Sequence, residues 1–154
     1  MSGVKLDHFN LAILRELQQH PGCAQRELAE RVNLSQNACW RRVKQLEEAG
    51  VIEARRLVLS RQALGFGLVV FSMIRTRSHS RTWLADFREH VLGIPEVIDF
   101  YRIGGDYDYM LKIVTRDIGA FDLIYQRLID GFEIDTVTSY FAMEALAESR
   151  PLPV

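Results

Sequence analysis

The chain has 154 residues, enough for one ordinary domain or two small ones. Its 48% hydrophobic and 25% charged residues are those of a globular protein. No apolar run approaches the roughly 20 residues that span a bilayer, and the opening MSGVKLDHFN lacks the apolar core of a signal peptide, so a cytoplasmic location is expected. The net charge of −1 conceals an asymmetry: residues 1–62 hold 10 Lys/Arg against 7 Asp/Glu, and residues 63–154 hold 9 against 13, so only the first part suits a polyanionic partner.

In chain order, the spacing predicts a first helix over Leu6 to Gln18, with Phe9, Ile13 and Leu17 along one side and Ala12 and Leu14 widening the stripe. Asp7 suits its positive N-terminal end, and His20-Pro21-Gly22 ends it. From Gln25 to Gly50 the pattern is two short helices around a tight turn. Leu28, Ala29 and Val32 make one sticky face, Asn33 breaks the helix, Leu34 points back to the core, and Ser35 is a strong N-cap. In the following helix Cys39, Val43 and Leu46 form the buried stripe. The opposite face carries Asn37, Trp40, Arg41 and Lys44, next to Ser35, Gln36 and Arg42.

That is a helix-turn-helix pattern whose second helix has a basic, hydrogen-bonding outer face. Arg and Lys neutralise phosphates, Arg can fork onto guanine, and Asn can pair with adenine. A merely solvated amphipathic helix is also polar outside, but it has no use for an exposed Trp beside two arginines. Val51 to Leu59 is expected to be a short hairpin or wing whose Arg55 and Arg56 reach flanking phosphate; the alternative is an ordinary solvated turn.

Ser60 to Gly67, with two glycines, is expected to be a linker between domain 1–59 and domain 68–154. The second half then alternates. Strands are predicted at 68–75, 97–103, 107–114 and 134–143, and helices at 82–92 and 118–129. Trp83, Phe87 and Val91 should face inward from the first of these helices, and Phe121, Ile124, Tyr125 and Leu128 from the second. The fold class is therefore α+β: an N-terminal winged helix-turn-helix plus a C-terminal ferredoxin-like β-α-β-β-α-β sandwich. One sheet face is left without helices and carries Val69, Phe71 and Met73 or their alternates, an apolar surface of the kind that marks an oligomer interface.

This order resembles the Lrp/AsnC family of feast/famine transcriptional regulators over nearly the whole chain. The resemblance is carried by Leu6-Asp7, Ile13-Leu14, Glu27-Leu28-Ala29, Val32-Asn33-Leu34-Ser35, Arg42-Val43-Lys44, Leu46-Glu47 and Gly50-Val51-Ile52. In the second half it is carried by Pro95-Glu96-Val97, Gly104 with Asp106-Tyr107-Asp108-Tyr109, Ser139-Tyr140-Phe141 and Met143-Glu144. Asn10 departs from it, since the family commonly has Asp there. The resemblance implies a regulator that binds double-stranded DNA, pairs into a homodimer through its second domain, commonly assembles four dimers into an octamer, and binds a small amino acid near the Gly-Asp-Tyr-Asp turn. It implies no cofactor and no membrane. Ala38-Cys39-Trp40-Arg41-Arg42 and Phe141-Ala142-Met143-Glu144 further resemble a cysteine-responsive branch that controls cysteine breakdown, with leucine or another small apolar amino acid as the second choice of effector.

The turn itself suits a zwitterion. Gly104 and Gly105 let backbone N–H groups approach a carboxylate, Asp106 or Asp108, flanking Tyr107, could take an ammonium group, and Thr136, Thr138 and Ser139 could add hydroxyls from a neighbouring subunit. A plain hairpin would use Gly-Gly-Asp equally well. Two other readings stay open. A ferredoxin-like enzyme could use Asp106 and Asp108, yet no His, Cys or Lys accompanies them and His8, His20, His79 and His90 are scattered. A redox-sensing repressor could use Cys39, its thiol acidified by Arg41 and Arg42, although Cys39 falls on the buried stripe. Cys23 and Cys39 lie 16 apart without a CxxC, which fits neither a disulfide framework nor a zinc ribbon.

Overall fold

A computed structural model describes residues 4–154; residues 1–3, which open the expected first domain, lie outside the described residues. The chain divides into two compact units, one of residues 1–58 together with 147–154, the other of residues 59–146.

The first unit is built from α1 (His8–Gln19), α2 (Gln25–Arg31) and α3 (Gln36–Glu48). Asp7 caps α1 by accepting from the Asn10 N–H, and Ser35 caps α3 by accepting from the Ala38 N–H, so each helix starts where a short polar side chain satisfies an orphan donor. Between α2 and α3 the chain turns through Asn33, whose φ of 53° is the left-handed conformation that asparagine tolerates. The core joins Ile13, Leu14, Leu28, Ala29, Val32, Cys39, Val43 and Leu46, with Leu34 packed against it. The inward stripe of α1 runs Asn10, Ile13, Leu14 rather than from Phe9. Phe9 instead lies beneath the Arg42 guanidinium, 5.3 Å from ring centre to charge.

Two expectations change here. Residues 51–59 form no strand, so the predicted hairpin or wing is absent; Leu57, Val58 and Leu59 are exposed, and apolar β-branched composition alone did not supply a partner strand. The tail also departs from the expected boundary. Residues 147–154 group with the helical unit, where Gln18 accepts from the Leu152 N–H (2.6 Å) and donates to its carbonyl (3.3 Å), Arg15 donates to the Val154 carbonyl, and Val154 packs on the helical core.

The second unit runs β1 (Leu68–Arg75), α4 (Arg81–Leu92), β2 (Val97–Arg102), β3 (Tyr109–Thr115), α5 (Ile118–Ile129) and β4 (Thr136–Phe141). The strands form one antiparallel sheet in the order β2-β3-β1-β4. This is the β-α-β-β-α-β sandwich expected from the alternation of patterns. Val70 and Ile74 of β1 and Tyr109, Leu111 and Ile113 of β3 meet Phe87 and Val91 of α4 and Phe121, Ile124 and Leu128 of α5 in one core. The alternate residues, among them Phe71, Met73, Met110 and Tyr140, occupy the face that carries no helix, as the strand period of two requires. The expected linker at 60–67 is an ordered turn, in which the Ser60 hydroxyl accepts from the Ala63 N–H and the Phe66 N–H donates to the Arg61 carbonyl.

Candidate nucleic-acid interface and effector turn

The helix-turn-helix presents α3 with its stripes as the sequence predicts. Cys39, Val43 and Leu46 are buried, while Ser35, Gln36, Asn37, Trp40, Arg41 and Lys44 are exposed. Because α-helical neighbours recur at three and four residues, Asn37, Trp40, Arg41 and Lys44 form one continuous outer row. The Lys44 ammonium lies 5.6 Å from the centre of the Trp40 ring, which pins both side chains at the surface. Arg41 makes no ion pair or hydrogen bond among the described residues, so its five donors are available.

Arg42 differs from the rest of the expected set. Its guanidinium donates to both carboxylate oxygens of Asp7 (3.0 and 2.9 Å) and to Oδ1 of Asn10 (3.0 Å). Asn10 is buried and gives its amide to the Lys5 carbonyl at 2.7 Å. The network locks α1 to α3, so Arg42 serves the interior joint of the unit rather than the outer face. Arg55 reaches back to Glu47 at 3.5 Å, while Arg56 is exposed without an ion pair among the described residues.

Cys39 does not fit a redox sensor. Its side chain is fully buried, and burial, followed by the nearby Cys23, pushes its thiol pKa up rather than down. A thiol kept neutral in the core is a poor nucleophile.

The structure separates the expected effector residues into three groups. Gly104, Gly105 and Asp106 are exposed, and a side chain at either glycine would meet open space; Gly105 has φ of 123° and so requires glycine. Asp106 has no hydrogen bond or ion pair among the described residues. Tyr107 reaches β4 of its own chain, its hydroxyl 3.1 Å from that of Thr138, and Arg75 lies 5.9 Å above its ring and donates to the Thr136 hydroxyl at 3.3 Å. The remaining two residues face structural duties. The Asp108 carboxylate accepts from the Thr76 N–H at 2.8 Å, and its backbone bonds to Ile74 and Ile103. Ser139 hydrogen-bonds the buried Ser72 hydroxyl at 3.0 Å and so belongs to the sheet rather than to the turn.

Sequence reasoning missed Arg75, Arg77 and Asp135. Arg75 and Arg77 pair with Asp135 at 3.0 and 2.6 Å, and the Asp135 carboxyl is held below its usual pKa, first by the hydrogen bond from Arg77. A cavity of about 600 Å³ lined by Arg77, Ser78, Glu133, Ile134 and Asp135 opens beside them. The signal was present as the Arg-x-Arg that closes β1, but only the β1–β4 pairing brings Asp135 to it.

Comparison with known proteins gives these surfaces a context. Residues 69–152 match the Lrp/AsnC ligand binding domain, and residues 6–53 match a winged helix-turn-helix DNA-binding domain. The glutamate uptake regulatory protein of Zymomonas mobilis is 43% identical over 97% of this chain and 92% of its own length. The DNA-binding transcriptional activator DecR of Escherichia coli is 36% identical over 97% of this chain and 99% of its own. Among solved structures, an AsnC family transcriptional regulator from Agrobacterium tumefaciens superposes with a TM-score of 0.92 at 44% identity, covering 96% of each chain. A transcriptional regulator from Neisseria meningitidis in complex with L-Met superposes at 0.91 with 31% identity, covering 97% of each. The relatives are regulators of transcription rather than enzymes, which removes the catalytic reading of Asp106 and Asp108. With both halves matched and relatives similar from end to end, the chain belongs to the Lrp/AsnC family of DNA-binding transcriptional regulators.

Proposed function

We propose that this protein is a sequence-specific regulator that docks α3 into the major groove of duplex DNA and changes its assembly or DNA binding when a small amino acid occupies its second unit. The observation that carries the DNA half is the outer row Asn37, Trp40, Arg41 and Lys44, exposed on a helix whose opposite stripe is buried. Arg41 and Asn37 are the base readers. Ser35, Gln36, Lys44 and Arg56 hold phosphate, and Arg55 assists only when it leaves Glu47. The second unit forms the homodimer through its helix-free sheet face, which sets two copies of α3 on a two-fold site. Four such dimers make the octamer. The cell compartment that fits such a regulator is the cytoplasm; among the described residues no helix is long and apolar enough to cross a membrane.

The amino acid binds at the turn 104–108. Backbone N–H groups around Gly104 and Gly105 hold its carboxylate, Asp106 holds its ammonium, and Tyr107, Thr136 and Thr138 supply hydroxyls. Similarity to a regulator solved with L-Met supports a small amino acid with an apolar or sulfur-bearing side chain; cysteine and leucine are the leading candidates. The DNA half is tested by Arg41→Ala and Lys44→Ala in binding assays against a selected site and random duplex. Arg41→Ala is expected to lose roughly 1–3 kcal/mol on the selected site and less on random DNA. Lys44→Ala should weaken both about equally and reduce the salt dependence. Wild-type affinity in both variants would place the DNA contact elsewhere.

A further inference from the structure

The second unit contains a cavity that the amino-acid reading does not use. It has a volume of about 350 Å³ and is lined by Leu84, Arg88 and Leu92 of α4, Phe100 and Arg102 of β2, and Tyr109 of β3. Leu84, Arg88 and Leu92 recur every four residues and so make one row along α4. Phe100 and Arg102 are two apart on β2 and so point to the same side of the sheet. That strand is at the sheet edge, and the cavity opens beside it.

The cavity lining carries hydrogen-bond donors that the fold leaves unoccupied. Arg88 and Arg102 are exposed and make no ion pair or hydrogen bond among the described residues. Tyr109 is 6% exposed, lines the cavity, and its hydroxyl has no hydrogen-bond partner among the described residues. Burial, the leading cause, raises the Tyr109 phenol pKa, so the group remains a neutral donor. Beside these donors lie Leu84 and the mutually tilted rings of Phe100 and Tyr109, their centres 5.5 Å apart. Two exposed guanidinium groups and a solvent-reaching phenol hydroxyl around an apolar floor match an anion that has a carboxylate at one end and an apolar body at the other.

We propose that this cavity is a second ligand site, separate from the turn at 104–108, for a small apolar carboxylate without an amino group. Arg88 and Arg102 clamp the carboxylate, Tyr109 donates to it, and the apolar body rests on Leu84 and Phe100. No acidic residue lines the cavity to receive an ammonium, which sets it apart from the turn with Asp106 and favours a des-amino acid over an amino acid.

The test is calorimetric titration of the full chain with 3-phenylpropionate and with the neutral 3-phenylpropionamide. The acid is expected to bind about tenfold tighter than the amide or better, since charge-assisted hydrogen bonds exceed neutral ones by that order. Arg88→Gln and Arg102→Gln should each bring the acid close to the affinity of the amide without altering the amide, and Tyr109→Phe should weaken the acid by a smaller factor. Near-ultraviolet circular dichroism checks that each variant keeps its packing; if the glutamine variants do not fold, Tyr109→Phe together with the acid–amide comparison carries the decision. Equal binding of acid and amide, no binding of the acid at millimolar concentration, or wild-type acid binding in both folded glutamine variants would each overturn the proposal. So would loss of DNA affinity in Arg88→Gln and Arg102→Gln with acid binding unchanged, because the two arginines would then serve DNA phosphate.

Discussion

At the residue scale the first unit depends on the Asp7–Asn10–Arg42 cluster. Asp7 has two roles, as the N-cap of α1 and as the anion that receives Arg42. Its carboxyl pKa is lowered, first by the backbone N–H of Asn10 and then by Arg42. A carboxyl whose folded pKa lies below its unfolded value contributes stability that is complete above the unfolded pKa, near 3.8, and is lost as pH falls through the folded one. Asp7→Asn keeps a good cap and removes only the charge. The variant is therefore expected to melt below wild type at neutral pH, with the gap closing as the pH drops below about 4. A gap that is constant through acid pH would assign the loss to the cap. Asn10 accounts for the family departure noted in the sequence: its amide does two jobs, donating to Lys5 and accepting from Arg42, and an aspartate could not donate to that carbonyl.

At the element scale, the turn between β2 and β3 is anchored before it can bind anything. Three hydrogen bonds tie Asp108 to the end of β1 and to Ile103. Asp108→Ala would leave the Thr76 N–H unpaired in a residue only 4% exposed, at a cost of about 1–3 kcal/mol. Asp108→Asn retains the acceptor and should cost less. Neither change is a clean probe of ligand binding. Asp106→Ala is, because that exposed side chain makes no hydrogen bond or ion pair among the described residues. We expect calorimetry to show loss of amino-acid binding in Asp106→Ala at an unchanged melting temperature. If Asp106→Ala binds the amino acid as wild type does, the ammonium lies elsewhere, with Glu133 and Asp135 as the next carboxylates along the sheet end. Gly104→Ala is a better steric probe of the turn than a change at Gly105, where positive φ would strain any side chain.

At the scale of the whole molecule the proposed dimer rests on the helix-free sheet face. Tyr101 and Tyr140 are exposed there, and Phe71, Met73, Met110 and Val114 are half-buried around them. Val69 lies on the same side but is already buried within the chain. Phe71 is therefore the position at which a charge tests the dimer. Phe71→Asp is expected to sediment as a monomer at micromolar concentration with its secondary structure retained, and to lose specific DNA binding because one recognition helix cannot read two half-sites. A stable dimer of Phe71→Asp would move the interface off this face.

Element identity was legible in the sequence because period and punctuation are local properties. The 3.6-residue stripes of α3, α4 and α5, the β1 run of 68–75, and the cap at Ser35 each follow from residues within one or two turns of chain, whereas Asp7, expected inside the first helix as a partner of its dipole, is its N-cap. The outer row of α3 was readable for the same reason, since a buried stripe dictates which residues face away. Partnership between distant residues was not readable. That Arg42 belongs to Asp7, Asp108 to Thr76, Ser139 to Ser72, Asp135 to Arg75 and Arg77, and the tail at 152–154 to α1 depends on contacts across 32 to 139 residues of sequence. Residues 51–59 failed as a wing for a related reason: a strand is stabilised by the neighbour it pairs with, and composition alone names no neighbour. The sequence thus determined which helices and strands form and which face of α3 looks outward, whereas tertiary structure alone decided which charged groups were already spent on the fold and which, such as Arg41, Arg88, Arg102 and Asp106, carry no ion pair or hydrogen bond among the described residues.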